Sequence, residues 1–230
     1  MTGVRRPRVL AVSVGAAVDR TWLGRVERSA IGKVVVDGPV VVGPLGMAGD
    51  EQADRRNHGG PDKAVMAYSA EHYEAWRADG LDLGPAAFGE NLTTVGLTEP
   101  TVVLGSVYRV GTAVLQAATP RRPCYKLAAF HGIEDLTVRT GRLGRVGVYF
   151  RVLEPGTVRA GDEFELLSRP GHGITAAQVH RVLNVDRNDL DGTRRLLAHR
   201  EAIPDRWADL LHKRLAGVQE DTTDRVAGPR

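Results

Sequence analysis

The chain has a single cysteine, Cys124, which lies in the run PRRPCYKL at positions 120–127. Its neighbours Arg121, Arg122 and Lys126 place three cations within three positions of the sulfur. Nearby cations favour the thiolate, the form of cysteine that attacks electrophiles and binds soft metals. The alternative is a small buried apolar side chain whose arginine neighbours face solvent. One cysteine excludes intramolecular disulfides, iron–sulfur clusters and Cys-rich zinc sites.

A second segment that can carry chemistry is NHGGPDKAV, at positions 57–65. Gly59 and Gly60 have no Cβ, so their backbone amides can approach a ligand closely. His58 and Lys63 supply further hydrogen-bond donors to an anion. An ordinary tight turn ahead of a strand explains the same residues. The spacing differs from that of a Walker loop, so we do not expect the chain to bind a nucleoside triphosphate.

The third segment is FGENL, at positions 88–92, where Glu90 and Asn91 precede an extended stretch. An asparagine amide both donates and accepts hydrogen bonds, which suits recognition of a heterocycle edge, and Glu90 can accept from ring N–H groups. A turn or capping role explains both residues equally well. The sequence has no HExxH, nucleophile-elbow or GxGxxG pattern, and its 7 histidines are scattered, so a catalytic zinc site is not expected.

Short β-branched runs separated by turn residues dominate the first three quarters of the chain, which favours antiparallel hairpins in a barrel or sandwich. One helix is predicted after the N-cap Ser69, with Tyr73 and Trp76 on one face and Gly80 at its end. A second begins near Lys126 and is interrupted by glycine. The predicted strands are 8–14, 33–36, 40–42, 107–110, 113–118, 146–153 and 163–167.

After Arg169 the hydrophobic period changes from two residues to about 3.6. Three short amphipathic helices are predicted: one capped by Thr175, one over 190–198, and one over 204–215. The polar stretch 218–230 is predicted to be a disordered tail.

Composition limits the classes of partner. With 42% hydrophobic residues among 230, the chain can bury a substantial core, and its net charge of +3 does not by itself imply nucleic acid. Paired arginines and three short helices leave DNA binding as an alternative, but a solvated charged face explains them better. The short apolar stretch Val9–Val14 suits a strand, and no segment has the roughly 20 apolar residues of a membrane span, so we expect a cytoplasmic protein without a membrane partner.

Taken together, the three segments resemble the signature of the MOSC domain, the C-terminal domain of molybdenum cofactor sulfurase. The resemblance also includes YSAEHYEAW at 68–76 and GLTE at 96–99, in matching order. YFRVLEPG at 149–156 and the C-terminal helices resemble the stand-alone bacterial YiiM-like branch. The resemblance implies a mainly β fold, with a MOSC β-barrel domain over 1–170, a three-helix domain over 171–217 and the tail at 218–230.

The resemblance further implies a molybdenum–pterin cofactor, with Cys124 supplying a thiolate to the metal. The cofactor phosphate needs basic or backbone donors, and Glu90 and Asn91 are expected to contact the pterin ring. The expected cofactor-binding residues are His58, Gly59, Gly60, Lys63, Glu90, Asn91, Arg121, Arg122 and Lys126.

The activity implied by this branch is reduction of N-hydroxylated compounds such as hydroxylaminopurines. Because the chain shows no iron–sulfur or flavin segment, the electrons are expected from a separate flavin-type reductase. The alternative is a sulfur-carrier or cofactor-handling module in which Cys124 holds a persulfide.

Overall fold

The structure, a computed structural model, describes residues 6–54 and 59–229. It contains one large sheet, two small sheets and short helices that connect or cover them. The strands are β1 Arg8–Val14, β2 Val18–Trp22, β3 Arg25–Ser29, β4 Val34–Val36, β5 Val40–Gly43, β6 Gly46–Met47, β7 Val65–Ser69, β8 Leu92–Val95, β9 Val107–Val110, β10 Ala113–Pro120, β11 Val148–Glu154, β12 Gly156–Val158 and β13 Phe164–Ser168.

Eight strands form the large sheet, in the order β13-β9-β10-β11-β7-β8-β1-β4. The sheet bends back on itself, because Arg8 and Glu163 form an isolated antiparallel bridge and the Phe164 amide donates to the Pro7 carbonyl at 2.7 Å. In the described part of the chain the ladders do not close into a continuous barrel. The expected mainly β fold with a helical appendage is confirmed.

The helix α1, Ala70–Ala78, connects β7 to β8, which pair in parallel. Parallel neighbours need such a crossover, since a tight hairpin joins only antiparallel strands. Ser69 precedes the helix, and Tyr73 and Trp76 are its buried residues, as the sequence predicts. Tyr68 stacks on Phe88 with ring centroids 4.2 Å apart, and this aromatic cluster fixes the segment that leads to Glu90 and Asn91.

The helices α2 (Lys126–His131) and α3 (Leu136–Leu143) follow β10 directly. Gly132 ends α2 in the left-handed conformation, with φ of 64°, which glycine adopts without steric cost. The loop between the end of β10 at Pro120 and the start of α2 at Lys126 carries Cys124.

The C-terminal helices are α4 (Ala176–His180), α5 (Leu190–Ala198) and α6 (Asp205–Leu215), and Arg181–Val185 continues α4 as a π-helix. A capping box starts α4, in which Thr175 and Gln178 exchange side-chain and backbone hydrogen bonds. Buried residues from these helices, such as Trp207 and Leu211, join the same apolar cluster as the large sheet. No helix in the described ranges is long and apolar enough to cross a bilayer.

The last residues differ from the predicted disordered tail. The described residues to 229 contain a short helix, α7 (Thr223–Ala227), and they contact the loop that carries Cys124. Charged side chains gave the stretch the composition of a disordered segment, but several of those charges have partners in the folded protein, Glu220 with Arg122 among them.

Candidate functional site

Cys124 lies where two cavities meet. The first, here called the sheet-side cavity, is bounded by β3, β7, β11 and the loops 30–33 and 50–54, and encloses about 700 Å³ including its open mouth. The second, the helix-side cavity, is bounded by α6 and the last ten described residues. Cys124 is 8% exposed and belongs to neither apolar core cluster. The residues that line both cavities are Asp54, Lys63, Cys124, Lys126 and Tyr149.

Arg121 is a buried cation in the wall of the sheet-side cavity. Its side chain is buried, at 5% exposure, and its backbone amide is fixed to the Gly147 carbonyl at 3.0 Å. The Nη1 atom is buried without a hydrogen-bond partner among the described residues. A buried guanidinium nitrogen without a hydrogen bond is costly to the fold, so its presence in a cavity wall favours a hydrogen-bond acceptor or anion as a ligand there.

Asn91 also lies in the wall of this cavity, but its side chain is held by the protein. Its Oδ1 accepts from the Met66 amide at 3.1 Å, and its Nδ2 donates to Asp50 at 2.9 Å. Asp50 in turn pairs with Lys33, and both side chains are less than 10% exposed, at 4% and 7%. Burial lowers the pKa of Lys33, while the Asp50 carboxylate opposes that shift. Asn91 therefore joins β7 and β8 to the loop at Asp50.

Glu90 is fully buried and does not line either cavity. Its carboxyl group accepts from the backbone amides of Ala86, at 2.8 Å, and Phe88, at 3.1 Å. Tyr73 and Thr93 donate to the same group through their hydroxyls. We infer that Glu90 holds the turn before β8, and that its predicted contact with a pterin ring is not favoured by this geometry.

Replacement of Glu90 by alanine is therefore expected to lower the free energy of unfolding by about 3–5 kcal/mol, because four buried donors lose their acceptor and a void remains. Urea denaturation monitored by circular dichroism measures this. The matched control is Glu74→Ala, an exposed residue of α1, which is expected to change stability by less than about 0.5 kcal/mol. Equal stability of the two variants would contradict the assignment.

The glycine segment positions Lys63. Gly59 and Gly60 are half-buried, and Gly60, with φ of 89°, precedes a 3₁₀ turn over Pro61–Lys63. His58 lies outside the described residues, so its role stays a prediction. The Lys63 Nζ lies 5.7 Å from the centroid of the Tyr149 ring. Burial, reinforced by Arg206 and Arg122, lowers the pKa of Lys63 to about 8, whereas Asp54 and Cys124 act to raise it.

The other two predicted cations are used within the protein. Lys126 forms an ion pair with Glu27 at 2.9 Å. Burial opposes ionisation of Glu27, but hydrogen bonds from Tyr125 and Lys126 hold the pKa of its carboxyl below its usual value. Arg122 donates both terminal nitrogens to Glu220, at 3.1 and 2.5 Å, so its guanidinium binds the C-terminal residues rather than the sheet-side cavity.

Glu99, in the GLTE segment, is a buried residue that the sequence analysis did not place in the site. It accepts from the amides of Val146 and Gly147, at 2.7 and 2.6 Å, and from His72 at 2.7 Å. Burial opposes its ionisation, but these hydrogen bonds hold the pKa of Glu99 below its usual value. Since Gly147 also receives the Arg121 amide, Glu99 fixes the backbone that orients Arg121.

Across 6–54 and 59–229, no three His, Cys, Asp or Glu side chains are grouped as a metal-binding set. Cys124 offers a single sulfur donor to both cavities, beside the cations Lys63 and Lys126 that line them.

The MOSC domain pattern matches residues 54–165, which include Lys63, Arg121 and Cys124. The chain is 40% identical over 203 residues to the uncharacterized protein YflK of Bacillus subtilis, covering 88% of this chain and 91% of YflK. It is 39% identical over 206 residues to protein YiiM of Escherichia coli, covering 87% of this chain and 91% of YiiM.

Solved structures agree with these sequence matches. YiiM from Geobacillus stearothermophilus superposes with a TM-score of 0.75 at 33% identity, covering 91% of this chain and 99% of that one. YiiM from Escherichia coli superposes with a TM-score of 0.73 at 32% identity, covering 96% and 97%. The chain therefore belongs to the MOSC domain family, and YiiM and YflK are its homologues within that family.

Proposed function

We propose that the protein is a molybdenum–pterin cofactor-dependent reductase of N-hydroxylated compounds. The observation that carries this proposal is the position of Cys124 in the wall shared by two cavities. The sheet-side cavity also contains Arg121, whose buried Nη1 has no hydrogen-bond partner among the described residues, and the helix-side cavity is lined by the C-terminal helices. MOSC domains are associated with the molybdenum cofactor. In addition, a protein of Gibberella moniliformis named reductase is 34% identical over 227 residues, which cover 95% of this chain and 39% of that protein.

The residues of the sheet-side cavity fit such a cofactor. A thiolate at Cys124 is a suitable ligand for a metal that cycles between oxo and reduced states. Arg121 offers an unpartnered donor to a phosphate group, and charge-assisted hydrogen bonds of this kind are stronger than neutral ones. Lys63 places a further cation on the same wall. Asn91 and Lys33 fix the loop at Asp50 and so shape the cavity.

When bound, the cofactor supplies the two-electron reduction of the N–O bond. The balanced reaction takes R–NHOH, two electrons and two protons to R–NH2 and water. The chain's own part is to hold the thiolate of Cys124 at the junction, to exclude water with Tyr149 and Met66, and to orient the substrate in the helix-side cavity. Lys63, which lines both cavities, can hold a proton near the junction at neutral pH.

The two electrons need a donor, and we propose a separate flavin-type reductase. The Gibberella relative is more than twice as long as the part that this chain matches, so that reductase carries further sequence beside the shared fold. A cytoplasmic location is part of the proposal, because thiols stay reduced there.

Elemental analysis of protein made in a host that builds the pterin cofactor tests the proposal. We expect close to one molybdenum per chain and, with a chemical or flavoprotein electron donor, conversion of 6-hydroxylaminopurine to adenine. Molybdenum-free protein that carries a persulfide on Cys124, detected by intact mass spectrometry, would instead support the sulfur-carrier alternative.

A further inference from the structure

The C-terminal residues 220–229, here called the strap, contact the chain on both sides of Cys124. The Tyr125 amide donates to the Arg225 carbonyl at 2.8 Å. The Arg225 guanidinium donates through Nη1 to the Pro123 carbonyl, also at 2.8 Å. One residue of the strap therefore holds the backbone immediately before and immediately after the cysteine.

The beginning of the strap is fixed by Arg122, which belongs to the loop that carries Cys124. Arg122 makes a bidentate contact with Glu220 and donates through Nε to Asn184 at 2.9 Å. The Arg187 side chain donates to the Glu220 carbonyl. Bidentate arginine–carboxylate pairs are geometrically specific, and this one is mostly shielded, with the two side chains 15% and 26% exposed. The strap thus has a defined register on the loop.

The end of the strap lies on the Tyr125 ring. Gly228 has a φ of +89°, and a Cβ built there would lie 3.2 Å from Cδ2 of Tyr125 and would also meet the Leu23 side chain in the β2–β3 turn. Glycine is suited to this position, because its backbone can approach the ring without a side chain between them. The strap therefore contacts the rest of the protein at its start, middle and end.

The strap also forms one wall of the helix-side cavity. Glu220, Asp224, Arg225 and Pro229 line that cavity together with Arg206 and Leu210 of α6. Tyr149 and Cys124 lie on the wall that this cavity shares with the sheet-side cavity.

Burial of the Arg225 side chain is unfavourable for folding. Burial lowers its pKa to about 10, and the neighbouring Arg122 adds to that shift while Glu220 opposes it. Its Nε atom is buried and has no partner in the part of the chain that the structure describes. A side chain held at such a cost, beside other arginines, is more consistent with a role in the site than with stabilisation of the tail.

We propose that Arg225 is a positioning residue for the Cys124 loop, and that the strap is the wall of the cavity that receives the substrate. The positioning role of Arg225 is supported by its contacts to Pro123 and Tyr125. The second half rests on the proposed reductase function, since it assigns the helix-side cavity to the N-hydroxylated substrate.

Because the chain has one cysteine, the rate of alkylation by iodoacetamide reports on Cys124 alone. The test uses full-length, cofactor-free protein and compares wild type with Arg225→Gln, Arg225→Lys and Glu220→Gln. The matched control is Arg194→Gln, an exposed arginine of α5 that pairs with Asp191 at 2.7 Å. Thermal melting of each variant separates loosening of the loop from global unfolding.

We expect Arg225→Gln to be alkylated about tenfold faster than wild type, because the loop opens more often when a hydrogen bond that fixes it is removed. Arg225→Lys retains a cationic donor to the Pro123 carbonyl and is expected to restore most of the protection. Glu220→Gln is expected to lie between the two, and Arg194→Gln to match wild type.

An alkylation rate within twofold of wild type in both Arg225→Gln and Glu220→Gln, with melting unchanged, would overturn the positioning role. If Arg225→Gln does not fold, Glu220→Gln alone decides by the same criterion. The assignment of the strap as the substrate-binding wall is tested in the molybdenum-loaded enzyme. There Asp224→Asn is expected to change KM for the substrate by about threefold or more, while kcat changes less. An unchanged KM would overturn that assignment. Faster alkylation in a protein that never binds molybdenum would support the positioning role and reject the reductase.

Discussion

Replacement of Cys124 by serine is expected to remove reductase activity while the fold remains intact. A serine hydroxyl stays protonated at neutral pH and is therefore a much poorer metal ligand than a cysteine thiolate. Loss of an outer-shell partner of a metal site typically costs about 10–100-fold, so loss of the ligand itself is expected to lower turnover by at least about a hundredfold. The measurement is the rate of hydroxylaminopurine reduction, normalised to protein concentration, beside the molybdenum content of each preparation.

The same variant should keep its thermal midpoint. Cys124 is buried at the cavity junction but belongs to neither core cluster, and its carbonyl contacts with Leu127 and Thr137 use backbone atoms that serine retains. The change in unfolding free energy is therefore expected to stay within about 1 kcal/mol. Retained turnover in Cys124→Ser, at a molybdenum content equal to that of wild type, would count against the metal-ligand role.

The elements that the sequence predicts well are those whose local pattern and tertiary burial agree. β1 and β9 occupy the predicted ranges, and α5 spans Leu190–Ala198 as expected, because each has an apolar period that matches its structure. The β2–β3 hairpin was not predicted. Its strands, VDRTW and RVERS, have adjacent charged residues and no apolar alternation, and most of their side chains are exposed or half-buried, so no apolar pattern marks them.

The candidate site was predicted in part. Four residues that the sequence singled out, Cys124, Arg121, Lys63 and Lys126, line the same sheet-side cavity. Spacing cannot show which polar groups are already satisfied. Glu90 is enclosed by protein donors, a fact that depends on the tertiary structure of the turn before β8.

The same limit applies to the C-terminal residues. Charged composition predicted disorder for 218–230, but the pairing of Arg122 with Glu220 joins residues 98 positions apart. No local pattern encodes such a contact. The three residues that fix the site from a distance, Glu99, Glu220 and Arg225, all act through pairings of this kind.

Arg121→Met is expected to separate binding from stability. In wild type the Arg121 residue is 5% exposed, and its Nη1 has no partner within the described ranges. Methionine fills a similar volume without a buried charge, so the thermal midpoint is expected to remain the same or to rise. Cofactor affinity is expected to fall about tenfold to a hundredfold, because hydrogen bonds to a charged group contribute about 1.5–3 kcal/mol.

The matched control is Arg122→Met, on the adjacent residue. Arg122 uses its guanidinium on Glu220 and Asn184, so its replacement leaves a partly buried carboxylate without its partner. That variant is expected to melt at a lower temperature than wild type and to lose less molybdenum than Arg121→Met. Molybdenum per chain after desalting, measured with the melting curve of each variant, gives both quantities. A stability loss in Arg121→Met with full molybdenum retention would show that Arg121 stabilises the fold and does not bind an anionic ligand.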